Sequence, residues 1–198
     1  MINWLLIGIG DIAIKRVLPA IEAEPRSTLY GVVSRDREKG RRYSARVWTE
    51  LSAALEDPAI DAVYVATPVA LHASQTIAAL RAGKHVLCEK PMAMNYCEAL
   101  SMEAAAEASG KTLGIAYFRR SFPKVLRALE VLETGAIGRP LLAEIQCHEW
   151  LRKSEFRGWL FDPKLSGGGP LFDIGSHRID ISVVGAGRVD VDGFLTLQ

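Results

Sequence analysis

The sequence contains few cysteines, and none of them forms a recognisable pair. Only Cys88, Cys97 and Cys147 occur among the 198 residues, and no C-x-x-C spacing is present. An odd number of widely spaced cysteines argues against a disulfide framework and against a cysteine-based zinc site. We therefore expect a protein of the reducing cytoplasm, and no metal site is predicted.

Long apolar runs and a strong charge of one sign are also missing. The first apolar run, residues 2–10, has no basic segment before it and meets Asp11 at once. It therefore lacks the form of a signal peptide and is too short to span a bilayer. The net charge is only +1. Neither nucleic acid nor a membrane surface is an expected partner, because both normally require a basic face.

A dinucleotide-binding pattern is present at the N-terminus. Residues 2–7 are almost continuously apolar, which is typical of a strand buried on both faces. The motif G-I-G-D-I-A follows, in which Gly8 permits a tight turn, Gly10 lets a pyrophosphate approach and Ala13 allows close packing. A helix expected over residues 11–23 would direct free N–H groups at the phosphates. The alternative is an ordinary glycine turn between a strand and a helix.

The residues after the second predicted strand, 29–33, indicate which dinucleotide is bound. Rossmann domains place the residue that meets the adenosine ribose about 20 positions beyond the third glycine, and Ser34-Arg35 stands there. A hydroxyl and a guanidinium suit a 2′-phosphate, and Lys39 adds charge one helical turn later. The prediction is NADP. NAD stays open because Asp36 is close enough to reach a ribose hydroxyl.

The order of the elements predicts a parallel sheet. Strands expected over 60–66, 84–88 and 112–116 alternate with helices over 49–56, 70–82 and 95–109. Ligands of such sheets bind outside the carboxyl ends of the strands. The residues expected at those ends are Gly8, Gly10, Ser34, Thr67 and Lys90. His72, in the first turn of a helix, is either a cofactor contact or a partly exposed helix-start histidine, whereas His85 is expected to be structural.

The pattern changes in the second part of the chain. Residues 140–150 partly alternate between apolar and polar side chains, which predicts a half-exposed strand of a second, antiparallel or mixed sheet. Another strand is predicted over 189–197. A helix over 171–184 places Asp173 and His177 on one face. Such a carboxylate can orient the histidine and raise its pKa, and the alternative is a polar helix face with a local charge pair.

Together these motifs resemble the Gfo/Idh/MocA oxidoreductases. The resemblance rests chiefly on residues 8–13, on A-T-P at 66–68, on A-G-K-H-V-L-C-E-K-P at 82–91 and on G-G-G-P-L-F-D-I-G-S-H-R-I-D at 167–180. It implies an α/β protein with an N-terminal Rossmann domain over 1–120, built on a doubly wound parallel sheet. A partial C-terminal α/β domain with a mostly antiparallel sheet is implied over 121–198.

The resemblance also implies a reaction and the residues that carry it. The reaction is hydride transfer between NADP(H) and the carbinol or carbonyl carbon of a sugar, polyol or related small molecule. Lys90 is implied to contact both nicotinamide and substrate, with Asp173 and His177 as the catalytic pair. The implied cofactor contacts are Gly8, Gly10, Asp11, Ile12, Ser34, Arg35, Lys39, Thr67, Pro68, His72, Glu89 and Lys90. A homo-oligomer through the C-terminal sheet is implied as well.

Two features depart from the family pattern. Trp159-Leu160 stands where members often carry Trp-Arg, so one polar contact is expected to be absent. Members are also longer, and the remaining strands of their second sheet have no counterpart in these residues. The alternative function is therefore a truncated protein that binds NAD(P) without catalysis.

Overall fold

The chain is built on a six-stranded parallel sheet. The computed structural model describes residues 1–44, 46–142, 144–146, 158–169 and 171–186. The strands are β1 (Ile2–Ile7), β2 (Ser27–Val33), β3 (Val47–Trp48), β4 (Ala62–Val65), β5 (His85–Cys88) and β6 (Leu113–Ile115). Their order across the sheet is β3-β2-β1-β4-β5-β6, and all neighbours run parallel. The predicted doubly wound parallel sheet is confirmed.

Helices follow the strands along the chain. The α-helices are α1 (Leu18–Ala23), α2 (Arg37–Arg41), α3 (Leu51–Leu55), α4 (His72–Arg81), α5 (Tyr96–Ser109), α6 (Pro123–Glu133), α7 (Pro163–Ser166) and α8 (Ser176–Ala186). Two π-helical stretches, Ala13–Val17 and Leu171–Gly175, lead directly into α1 and α8. Three short 3₁₀ segments lie at Val69–Leu71, Phe118–Ser121 and Gly158–Phe161.

The central strands are buried because the sheet is covered on both faces. On one face Val63 and Val65 pack with Leu80 of α4 and Met102 of α5. On the other face a second cluster joins the sheet to the helix that follows the glycine turn. Burial on both faces explains why β1 and β4 are almost continuously apolar in sequence.

Helix ends lie where their local chemistry predicts. The side chain of Asn95 accepts a hydrogen bond from the main-chain N–H of Glu98 at 3.0 Å and so begins α5. Gly110 ends this helix with a φ of 63°, in the left-handed region that glycine adopts without strain. Gly83 ends the preceding helix in the same way, with a φ of 76°.

The predicted antiparallel sheet is not shown in the described part of the chain. Residues 140–142 and 144–146 form no strand, and Leu141 and Leu142 are almost fully exposed. Alternation predicts a strand only when a neighbouring strand completes its hydrogen bonds, and no described segment pairs with these residues. The remaining residues of this prediction, 143 and 147–150, and the strand predicted over 189–197 lie outside the described residues. The division of the chain at residues 120 and 121 stays a prediction.

Candidate active site

The glycine turn after β1 has the shape that a dinucleotide requires. Gly8 has a φ of 89°, and a Cβ atom there would lie 2.6 Å from the main-chain oxygen of Ala66. Gly10 differs, because a Cβ atom on it would meet no atom within 4 Å. The protein's own packing therefore requires glycine at position 8 but not at position 10. The open space in front of Gly10 fits a pyrophosphate that approaches the main chain closely.

The helix after this turn presents its N-terminus at the same edge. Its first hydrogen bond runs from the main-chain N–H of Ile14 to the oxygen of Gly10 at 3.1 Å. Asp11 and Ile12 lie in this first turn, at the N-terminal end of the helix. Ala13 is fully buried, which allows the close packing of helix on sheet. This is the arrangement that binds phosphate at a helix N-terminus.

The three residues predicted to select the cofactor lie between β2 and α2. The hydroxyl of Ser34 donates to the main-chain oxygen of Asp36 at 2.7 Å, and Arg35 and Lys39 are exposed. The Oδ1 atom of Asp36 accepts from the N–H of Lys39 at 2.9 Å and so caps α2. One oxygen of the Asp36 carboxylate is therefore occupied by the helix cap.

Thr67 and Pro68 follow β4 and join it to α4. The hydroxyl of Thr67 donates to Oε1 of Gln75 at 2.7 Å. His72 is buried at the start of α4, and its two ring nitrogens lie 2.9 Å from the main-chain oxygens of Thr67 and Pro91. The prediction that His72 is partly exposed is wrong, because the ring fills a gap between two loops. Neither ring nitrogen is free to meet a cofactor.

Glu89 is held at the end of β5 by a tyrosine from the neighbouring strand. The hydroxyl of Tyr64 donates to Oε1 of Glu89 at 2.8 Å, and Oε2 accepts from the N–H of Lys90 at 3.2 Å. Burial raises the pKa of Glu89, and the hydrogen bond from Tyr64 opposes that rise. The contact of Glu89 with a cofactor stays a prediction.

Lys90 joins the two parts of the chain. Its ammonium group donates to the main-chain oxygen of Asp173 at 2.8 Å and forms an ion pair with the carboxylate of the same residue. The side chain of Lys90 is 11% exposed, whereas that of Asp173 is 34% exposed. Because Asp173 lies on the helical stretch before α8, this pair fixes that helix against the strand ends.

His177 lies one turn beyond Asp173 in a pocket of aromatic rings. The ring is almost fully buried, with the edges of Tyr117 and Phe118 at centroid distances of 5.9 and 5.4 Å. Its Nδ1 atom is buried and has no hydrogen-bond partner among the described residues. The ring is therefore held by shape and keeps one nitrogen available.

The pKa of His177 is lowered, whereas the sequence predicted that a neighbouring carboxylate would raise it. Burial, followed by the positive charges of Lys90 and Arg119, lowers this pKa to about 4. The negative charges of Asp173 and Asp180 act to raise this pKa, but the net shift is downward. The predicted rise fails because the Asp173 carboxylate is bound to Lys90, so the buried imidazole donates no hydrogen bond to that carboxylate.

A second ion pair, between Arg120 and Asp180, lies next to the His177 pocket. Nε of Arg120 donates to both carboxylate oxygens of Asp180 at 2.8 Å. Asp180 is buried, whereas half of the Arg120 side chain is exposed. The pair connects the segment after β6 to α8 and so holds His177 of α8 against Tyr117 and Phe118.

The structure therefore brings Lys90, Asp173 and His177 together at the carboxyl edge of the sheet. Sequence reasoning did not assign Tyr64, Tyr117, Phe118 and Arg120 to the site. The spacing of these residues carries no signal for their contacts, because each acts through a partner that is distant in sequence. No group of three metal-ligating side chains occurs among the described residues. No described helix has the length and apolar character needed to cross a membrane.

Family models match almost all of this arrangement. Residues 2–117 match the oxidoreductase family with an NAD-binding Rossmann fold, and residues 125–191 match the Gfo/Idh/MocA C-terminal domain. The chain belongs to the Gfo/Idh/MocA family of oxidoreductases. Its first 117 residues are thus those of an NAD(P)-binding domain, in agreement with the glycine turn. Among the described residues, the second Gfo/Idh/MocA match includes the helical stretches that carry Asp173 and His177.

Two relatives that the chain resembles are named as an oxidoreductase and as a reductase of a sugar derivative. An oxidoreductase of Formosa agariphila is 35% identical over 96% of this chain and 62% of its own length. A 1,5-anhydro-D-fructose reductase of Ensifer adhaerens is 36% identical over 91% of this chain and 55% of its own length. The chain therefore spans less than two thirds of these Gfo/Idh/MocA relatives.

A solved structure shows the same fold with a cofactor bound. KijD10, a 3-ketoreductase from Actinomadura kijaniata in complex with NADP and TDP-benzene, superposes with a TM-score of 0.77 at 31% identity. The match covers 94% of this chain and 57% of that chain. None of these relatives is named as a non-catalytic binding protein, so they give no support to the alternative of binding without catalysis.

Proposed function

We propose that this chain carries the cofactor site and the proton-handling groups of an NADP(H)-dependent oxidoreductase. Its substrate is a sugar, polyol or related small molecule with a carbinol or carbonyl carbon. The observation that carries this proposal is the meeting of Lys90, Asp173 and His177 at the edge where the glycine turn also lies. The activities for which these relatives are named favour the same class of substrate.

Lys90 binds the oxygen of the reacting carbon. Its ammonium group is almost buried, so its attraction to a negatively charged oxygen is screened less than in water. A bound nicotinamide would supply the hydride chemistry for oxidation and reduction. Asp173 keeps the ammonium group in place, and its partly exposed carboxylate is free to accept a hydrogen bond from a second substrate hydroxyl.

His177 receives the proton of the substrate hydroxyl in the oxidative direction. Because its pKa is lowered to about 4, the ring is neutral at pH 7 and has a lone pair to offer. The unpartnered Nδ1 atom is already desolvated, so accepting a proton there displaces no existing hydrogen bond. Reduction is the reverse of this step and starts from the protonated ring, which gives the proton from the same nitrogen to the substrate oxygen and becomes neutral.

The cofactor of this proposal is NADP(H), on the basis of the turn after β2. Arg35 and Lys39 are exposed there, while Asp36 uses one carboxylate oxygen to cap α2. An exposed guanidinium binds a 2′-phosphate in a forked geometry, whereas a free carboxylate would select the ribose of NAD. Homo-oligomer formation through the C-terminal part of the chain stays a proposal without a described interface.

The test combines binding with turnover. NADPH and NADH are titrated by fluorescence, and activity is then screened on sugars and polyols with NADP⁺ and on their keto forms with NADPH. We expect tighter binding of NADPH and turnover of at least one sugar-like compound. Binding without turnover on any compound would overturn the catalytic proposal, and failure to bind either dinucleotide would overturn both parts.

Arg35→Ala isolates the cofactor preference. We expect it to weaken NADPH binding about tenfold while NADH binding stays unchanged, since the lost contact is to the 2′-phosphate alone. Arg41→Ala, at the other end of α2, is the matched control and should change neither affinity. Equal weakening of both dinucleotides by Arg35→Ala would contradict the assignment of NADP.

A further inference from the structure

His72 connects two loops that both end at the candidate active site. The ring is 1% exposed. Its Nε2 atom lies 2.9 Å from the main-chain oxygen of Thr67, which follows β4. Its Nδ1 atom lies 2.9 Å from the main-chain oxygen of Pro91, which follows β5 and is bonded directly to Lys90. One side chain therefore spans the gap between two neighbouring strand ends.

The helix that carries His72 is a rigid base for these contacts. Ala73, Thr76, Ala79 and Leu80 of α4 are buried against the sheet. Gln75 of the same helix accepts the hydroxyl hydrogen of Thr67 at 2.7 Å. The Thr67 side of the connection is thus held twice, by two side chains one turn apart. The Pro91 side is held by His72, and this contact adds to those that Lys90 itself makes with Glu89 and Asp173.

Both ring nitrogens of His72 are occupied by these contacts. Main-chain oxygens only accept hydrogen bonds, and a neutral imidazole has one N–H group. The neutral ring thus donates to one oxygen at a time, whereas the protonated ring donates to both. Burial lowers the pKa of His72, while the contacts with Thr67, Pro91 and Met92 act to raise it. In either state no ring nitrogen is left for a cofactor or a substrate.

We propose that His72 is a positioning residue of the reaction: it ties the loop of Lys90 to α4 and so sets the place of the Lys90 ammonium group beside Asp173. This inference rests on the proposed oxidoreductase function. It assigns His72 a role in turnover through Lys90, in place of a direct contact with the dinucleotide.

Three variants of the full chain test this assignment by removing the two contacts of His72 together or one at a time. His72→Leu removes both. His72→Asn places an amide nitrogen near the position of Nδ1 and keeps the contact with Pro91. His72→Gln reaches the position of Nε2 and keeps the contact with Thr67. His85→Leu is the matched control, since His85 lies at the opposite end of β5 and accepts from the N–H of Thr112 at 3.1 Å.

We expect His72→Leu to lower kcat by about 10- to 100-fold, because small misplacements of a reacting group have effects of that order. The Kd for NADPH should change by less than about threefold, a difference of well under 1 kcal/mol. His72→Asn should recover more of kcat than His72→Gln, because only Asn keeps the loop of Lys90 attached. His85→Leu should leave kcat unchanged.

Hydrogen exchange gives a second readout that needs no turnover. Without cofactor, peptides covering residues 89–94 should exchange faster in His72→Leu than in the wild type, with His72→Asn between them. Unchanged exchange, an unchanged kcat, or NADPH affinity that falls as much as kcat would each overturn the role of His72. If the wild type turns over no substrate, the oxidoreductase proposal fails, and the exchange experiment alone still decides whether His72 holds the loop.

Discussion

The ammonium group of Lys90 is bound to Asp173, a residue 83 positions further along the chain, through both the main-chain oxygen and the carboxylate. Lys90 comes from the end of a strand in the parallel sheet, whereas Asp173 comes from a helical stretch of the second part. The candidate site therefore exists only when the two parts of the chain are in contact. Because the pair is mostly buried, removing either charge changes the environment of the other.

The first prediction concerns Lys90. Lys90→Ala should lower kcat/KM by about 10²–10³-fold, because a preorganised positive charge at the reacting oxygen has effects of that size. NADPH binding should persist, since the glycine turn and Arg35 are untouched. Steady-state kinetics and a fluorescence titration measure the two quantities. Lys84→Ala is the control at the start of the same strand, where the ammonium group binds the main-chain oxygen of Asp57. Unaltered turnover in Lys90→Ala would remove this residue from the mechanism.

The second prediction separates folding from binding within the glycine turn. Gly8→Ala should destabilise the protein by about 2 kcal/mol or more, because alanine is strained at a φ of 89° and its Cβ would collide with Ala66. Gly10→Ala should change stability by less than about 1 kcal/mol, since its Cβ meets open space. The same methyl group should weaken NADPH binding about tenfold by keeping the pyrophosphate away from the main chain.

Thermal unfolding and dinucleotide titration together check both glycines. Each variant serves as the control for the other, because the two substitutions are chemically identical and two residues apart. If Gly10→Ala bound NADPH as tightly as the wild type, the pyrophosphate would not lie over Gly10.

The third prediction is a pH dependence of stability that comes from His177. Its pKa is lowered to about 4 in the folded chain, whereas a histidine in an unfolded chain titrates near about 6.5. Between these values the unfolded state binds a proton that the folded state does not bind. The stability that comes from the neutral ring is therefore complete above about pH 6.5 and is lost as the pH falls towards 4.

Urea unfolding at several pH values measures this effect. The free energy of unfolding of the wild type should fall more steeply between pH 6.5 and 4.5 than that of His177→Gln, which has no titrating ring. His85→Gln is the matched control, because it makes the same substitution at an exposed ring outside the candidate site. Identical slopes for the wild type and His177→Gln would show that the ring titrates normally in the folded chain.

The fourth prediction concerns the unequal burial of Arg120 and Asp180. Arg120→Ala leaves a buried carboxylate without a partner and should cost about 3 kcal/mol. Asp180→Ala leaves a guanidinium that is half exposed and can be hydrated, so we expect a cost of about 1 kcal/mol from the ion pair itself. Chemical denaturation of both variants and of the double variant measures the difference. A larger cost for Asp180→Ala would contradict this account.

Local sequence patterns were sufficient to predict much of the first half. The turn at Gly8, the helix ends at Gly83 and Gly110 and the apolar strands are all set by residues within a few positions of each other. The same reasoning was wrong at residues 140–142 and 144–146, because a strand also needs a distant partner that local alternation does not reveal. Of the two alternatives for His72, the partly exposed ring was wrong, because the ring is buried against Pro91, 19 residues away.

The sequence by itself determined the parallel sheet, the glycine turn and the placement of Lys90 at a strand end, because periodicity and glycine conformation act locally. Only the tertiary structure decided that the carboxylate of Asp173 binds Lys90 rather than His177. It also decided the direction of the His177 pKa, since burial and neighbouring charges depend on which distant residues surround the ring. The chemistry at the edge of the sheet was therefore visible in the sequence, whereas the pairing of its groups was not.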